Sequence, residues 1–92
     1  MNSLICRQMF RLGRVSADFA LRASIDFGYT RALWTGFSDE VQTCAFALAD
    51  AGGEAEQELA LARLADLSRR VTLATGDCQL EEVIRRLTLV AA

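Results

Sequence analysis

Apolar positions in the first half of the chain recur every seven residues. Ala20, Phe27, Trp34, Val41 and Leu48 share one position of the repeat, and Ala23, Thr30, Phe37, Cys44 and Ala51 follow three residues behind. A seven-residue period winds a single apolar seam around a helix axis. Ile5, Leu12, Phe19 and Leu33 fill the flanking position and widen the seam, which suits a helical bundle better than a two-stranded coiled coil. The spacing predicts a helix over residues 3–51. Two features can interrupt it. One is Gly28; the other is the run Thr35-Gly36-Phe37-Ser38-Asp39-Glu40, which reads as a helix start with Ser38 as cap and acids in the first turn. Unbroken, the segment is a rod of roughly 70 Å at 1.5 Å per residue, longer than a compact domain of this size needs, so its seam would require a partner.

Two shorter helices follow, over residues 54–75 and 78–91. Gly52-Gly53 ends the first segment, and Glu54, Glu56 and Glu58 sit favourably at the positive end of the next helix. At Thr75-Gly76-Asp77, Gly76 supplies a left-handed stop and Asp77 a cap. Ala60, Leu64, Leu67, Val71 and Ala74 share one side of the second segment; Leu80, Ile84, Leu87 and Ala91 share one side of the third. Glu81–Arg85 and Glu82–Arg86 are i,i+4 pairs that mark a solvated face. The expected fold is all-α: a single helical domain, residues 1–92, of three or four amphipathic helices. A long or broken N-terminal helix is followed by two shorter helices in a small bundle.

Composition narrows the function. At 52% apolar and 24% charged, the 92 residues bury too much to be intrinsically disordered. All ten basic residues are arginine and there is no histidine, which removes the side chain most used for proton transfer and metal binding, Schiff-base lysines and lysine-containing phosphate loops. Cys6, Cys44 and Cys78 are far apart and form no CxxC, so they read as buried, reduced thiols. The expectation is no enzyme, no cofactor and no metal, in a cytoplasmic setting.

Charge is uneven. Residues 1–36 carry a net +3, residues 37–58 carry −6 with no base, and the rest carry +1. A total of −2 argues against nucleic acid as partner. Arg7, Arg11 and Arg14 recur at helical spacing beside Met9 and Phe10, the pattern of an amphipathic helix lying on an anionic membrane or granule surface. Residues 1–17, acid-free with three arginines, also have the composition of a mitochondrial presequence. The apolar stripe runs past residue 17 without a break, which favours a basic first helix. A short, proline-free, alanine-rich helical chain with an aromatic at Trp34 is similar in composition, over residues 17–50, to the phasins that coat polyester granules. That resemblance implies surface coating and assigns no residues.

The expected function is therefore a non-enzymatic interaction module: an adaptor, assembly subunit or inhibitor. It would bury an aromatic seam of Phe19, Phe27, Trp34, Phe37, Val41 and Leu48 by self-association or on a protein partner. The alternative is a peripheral surface binder using Arg7, Arg11, Arg14, Met9 and Phe10.

Overall fold

The computed structural model describes residues 3–91, and side chains for residues 7–88. Four helices form a small bundle: α1 (Ser3–Ile25), α2 (Gly28–Ala49), α3 (Glu54–Thr75) and α4 (Gln79–Ala91). Connections of two to four residues make consecutive helices antiparallel neighbours. α1 packs on α2 and α4, and α3 packs on the same two, whereas among the described residues no Cα of one diagonal helix lies within 8 Å of a Cα of the other. The body measures 40 × 20 × 19 Å.

The N-terminal segment is broken, and the break lies at Asp26-Phe27. Gly28 adopts φ +60°, a conformation that glycine reaches at low cost, and so lets the chain reverse. Arg31 secures the reversal from the far side: its Nε donates to the Ala23 carbonyl (3.0 Å) and its Nη2 to that of Ser24 (3.4 Å). Both acceptors belong to the last turn of α1, where carbonyls lack helical partners. The alternative start at Thr35–Glu40 does not form. α2 runs through it, and Ser38 is buried rather than capping. Ser38 Oγ donates to the Ser16 carbonyl (2.8 Å) while Ser16 Oγ donates to that of Ser38 (3.0 Å), a reciprocal clasp across α1 and α2. Small hydroxyls that satisfy each other's backbone let the two helices pack closely without leaving a buried donor unpaired.

The other turns are locally encoded. Glu56 in the first turn of α3 accepts the Gly52 N–H (2.8 Å), which ties the Gly-Gly corner to the helix it precedes. Gly76, at φ +78°, ends α3 with its N–H on the Thr72 carbonyl (2.8 Å). Asp77 then accepts the Gln79 N–H (2.9 Å) at the start of α4. The second carboxylate oxygen of Asp77 meets Arg22 Nη2 at 3.0 Å, and Arg22 Nε meets Asp18 at 3.1 Å. The Arg22 guanidinium also lies 4.8 Å from the Trp34 ring centre. One arginine thus links α1, α2 and the α3–α4 turn.

The core is built from Leu12, Val15, Phe19 and Ala23 of α1, Trp34, Phe37, Val41, Cys44 and Leu48 of α2, Ala60, Leu64, Leu67 and Val71 of α3, and Leu80, Val83 and Leu87 of α4. At its centre the Phe19 and Trp34 rings are 5.1 Å apart and tilted, and Phe37 meets Trp34 edge-on at 6.3 Å. This corrects the sequence reading of the seam. Phe19, Trp34, Phe37, Val41 and Leu48 are covered by the chain's own helices and present nothing to a partner. The reversal at residues 26–27 folds one half of the expected rod back upon the other, so the apolar stripe closes on itself. Phe27 and Ala20, placed on the seam by the seven-residue register, lie exposed: Phe27 sits in the turn, and the buried line of α1 runs through Leu12, Val15, Phe19 and Ala23 instead of Ala20.

Candidate interaction surface

Where the inward face of α1 is set by the core, its outward face is set by what the core leaves over. With 3.6 residues per turn, Phe10, Ala17 and Leu21 fall within about 20° of one line along α1, opposite Leu12 and Phe19. Gly13, Ser24 and Ile25 flank that line within about 60°. All six are exposed. Phe10 is 69% accessible, Leu21 62% and Ile25 69%. Beyond the end of α1, Phe27 in the α1–α2 turn and Tyr29 in the first turn of α2 are 83% and 80% accessible. The Arg31 guanidinium lies 5.9 Å from the Phe27 ring centre, so the residue that caps α1 also steadies this aromatic. Three large apolar side chains along the outer face of one helix, with Phe27 and Tyr29 just beyond its end, differ from the lone exposed residues expected on any surface. Phe46, Leu59 and Leu73 lie on other helices.

The basic group accompanies this stripe on one side. Arg7 and Arg14 are exposed next to Phe10, Arg11 is half-buried, and none of the three makes an ion pair among the described residues. Met9 turns inward and packs against the core, so the surface keeps Phe10 and the arginines and loses Met9. Sequence reasoning assigned no role here to Leu21, Ile25 and Tyr29. Their signal was present as a second helical-period stripe through residues 10, 17, 21 and 25, and it was masked by a register drawn through residue 27.

A second polar constellation lies between α2 and α3. Arg70 forks onto Glu40, with Nη1–Oε1 at 3.1 Å and Nη2–Oε2 at 2.6 Å, and its Nε reaches Asp66 at 3.0 Å. Arg69 pairs with the other oxygen of Asp66. The Arg70 hydrogen bonds hold the Glu40 carboxyl below its ordinary 4.5, outweighing its partial burial. Cys44 lines the same groove, and burial pushes its thiol up, leaving it protonated at neutral pH and a poor nucleophile. Cys78 departs from the reading of buried thiols: it is exposed in the α3–α4 turn. The side chain of Cys6 lies outside the described residues.

The Glu40–Arg70 pair has a definite pH signature. Its stability is present above the ordinary glutamate pKa and is lost as pH falls through the depressed one. Glu40→Gln should therefore destabilise the protein at neutral pH and converge with wild type in acid. Because both side chains are nearly half exposed, the difference should stay below about 1 kcal/mol. Paired thermal melts across pH check this, and a gap that widens in acid contradicts it.

Among the described residues no helix is long and apolar enough to cross a membrane, and no three histidine, cysteine, aspartate or glutamate side chains gather as metal ligands. No family model matches the chain, and neither a curated protein nor a solved structure matches it.

Proposed function

We propose that this protein is a non-enzymatic interaction module that docks through the outer face of α1 and the adjoining turn. One observation carries the reading: α1 is apolar on two opposite sides. Leu12, Val15, Phe19 and Ala23 fill the core while Phe10, Leu21 and Ile25 stand in solvent. A helix with a single packing role needs one apolar stripe, and solvated apolar side chains gathered on one face mark binding surfaces. The role of adaptor, assembly subunit or inhibitor therefore rests on a surface other than the aromatic seam. Arg7 and Arg14 beside Phe10 favour a second reading, a peripheral binder of anionic surfaces on the same face.

The test separates surface from core. Replacing Leu21 and Ile25 together by glutamate should leave the melting temperature within a few degrees of wild type, since neither fills the core, and should remove most binding of an apolar-surface dye. A large loss of stability, or dye binding that is absent from wild type, would overturn the proposal.

A further inference from the structure

We propose that the groove between α1 and α4 binds the phosphoryl group of a small phosphomonoester through Arg11, Arg14 and Arg86. The inference goes beyond the docking reading and uses none of its apolar residues. The groove encloses about 440 Å³, more than a bare phosphate fills and within the range of small-ligand sites. Val15 and Val83, both buried, give it an apolar lining that suits a short organic body.

Arginine stands on both walls. α1 and α4 run antiparallel, and one contact fixes their register: Gln79 Nε2 donates to Asp18 Oδ2 at 2.9 Å. Two turns back along α1 from Asp18 is Arg11, and two turns on along α4 from Gln79 is Arg86. The two arginines therefore reach the same level from opposite sides of the groove, roughly 10 Å from that contact, with Arg14 between.

What these cations lack is an anion that spans the groove. Asp18 is engaged by Arg22 of its own helix at 3.1 Å, and Glu82 by Arg85 (3.1 Å) and Arg86 (3.4 Å) of its own. Neither carboxylate joins arginines of α1 to those of α4. Arg11, half-buried, and Arg14 make no ion pair among the described residues. The groove is thus locally positive in a chain whose total charge is −2. Arginine's planar fork matches phosphate oxygens, and a phosphoryl group can accept from several forks at once. A phosphomonoester is close to a dianion at neutral pH, since its second pKa is about 6, and so balances the two unpaired guanidiniums as a single carboxylate would not.

Glycerol 3-phosphate titrated into the full chain at neutral pH and low salt should saturate with a Kd below about 1 mM, at least about tenfold tighter than acetate at equal ionic strength. In spectra of the arginine Nε–H groups it should move the signals of Arg11, Arg14 and Arg86 and leave that of Arg63, which is exposed on α3. Arg11→Gln and Arg14→Gln remove charges without ion-pair partners, so both should melt within a few degrees of wild type and raise Kd about tenfold. Arg63→Gln, the same charge change on another helix, should alter Kd less than about twofold. The spectra of the wild-type chain locate the site even where a variant folds poorly.

No saturation, equal affinity for acetate, signals that move elsewhere, or equal weakening by Arg63→Gln would each overturn the inference. Flotation with phosphatidylcholine vesicles containing phosphatidic acid distinguishes two sources of the same chemistry. Flotation that is lost in Arg14→Gln but kept in Arg63→Gln, and that phosphatidylglycerol does not support, places the phosphomonoester on a lipid headgroup. Saturation by glycerol 3-phosphate without flotation places it on a free small molecule. Either result upholds the site; flotation lost equally in both variants reports net charge alone and overturns it.

Discussion

Phe19→Ala is expected to destabilise the protein by about 3–5 kcal/mol, the range for deleting a fully buried phenyl ring. Phe19 has no accessible surface and stacks on Trp34 at the level where α1 crosses α2. The loss has two parts: transfer of the ring out of an apolar site, and a cavity that the surrounding helices cannot close. A domain of 92 residues has a total stability on the order of 5–14 kcal/mol, so this one substitution removes about a fifth of it or more. Thermal denaturation followed by circular dichroism should register a fall of at least roughly 12 °C, from the 4–8 °C per kcal/mol typical of this size. A cost below about 1 kcal/mol would mean that Phe19 is not part of a packed core.

Trp34→Ala should be about as damaging, at 3–5 kcal/mol, and its consequences should reach further. Its ring touches both phenylalanines and carries the Arg22 guanidinium, whose other contacts are Asp18 and the carboxylate of the α3–α4 turn. Losing the ring should loosen that turn as well as open the core, which amide exchange at Gly76–Gln79 can follow. Phe27→Ala provides the contrast. Phe27 occupies the same place as Trp34 in the seven-residue repeat, but it lies exposed at a helix end, so its replacement should change stability by less than about 0.5 kcal/mol. Comparable losses at positions 27 and 34 would restore the continuous seam and discard the folded-back arrangement.

These substitutions also mark how far the chain could be read before its structure was known. The turns at Gly52-Gly53 and Gly76-Asp77 were legible because their signals are local: a left-handed glycine, a capping carboxylate and acids at a helix start act within a few residues. The reversal at residues 26–27 was legible only as one of two candidate breaks, at Gly28 and at residues 35–38, between which the sequence did not choose. Its securing contact, Arg31 onto the Ala23 and Ser24 carbonyls, requires the two helices to be side by side already. Ser38 illustrates the same limit. Serine before two acids is a good cap in isolation, yet pairing with Ser16 across the bundle holds it in mid-helix. At the candidate site, Phe10 and the arginines were recognised and Leu21, Ile25 and Tyr29 were not, since a helix carrying two apolar stripes does not say which of them faces in.

By itself the sequence determined that this protein is helical, because the absence of proline, the alanine and leucine content and the periodic apolar residues act on each segment independently. It also placed the ends of the last two helices to within one residue. Which apolar residues are buried was decided only by the tertiary structure, since burial depends on what lies opposite. Once α2 folds back along α1 and α4 closes the other side, the seam of Trp34 and Phe37 becomes core and the line of Phe10, Leu21 and Ile25 becomes surface.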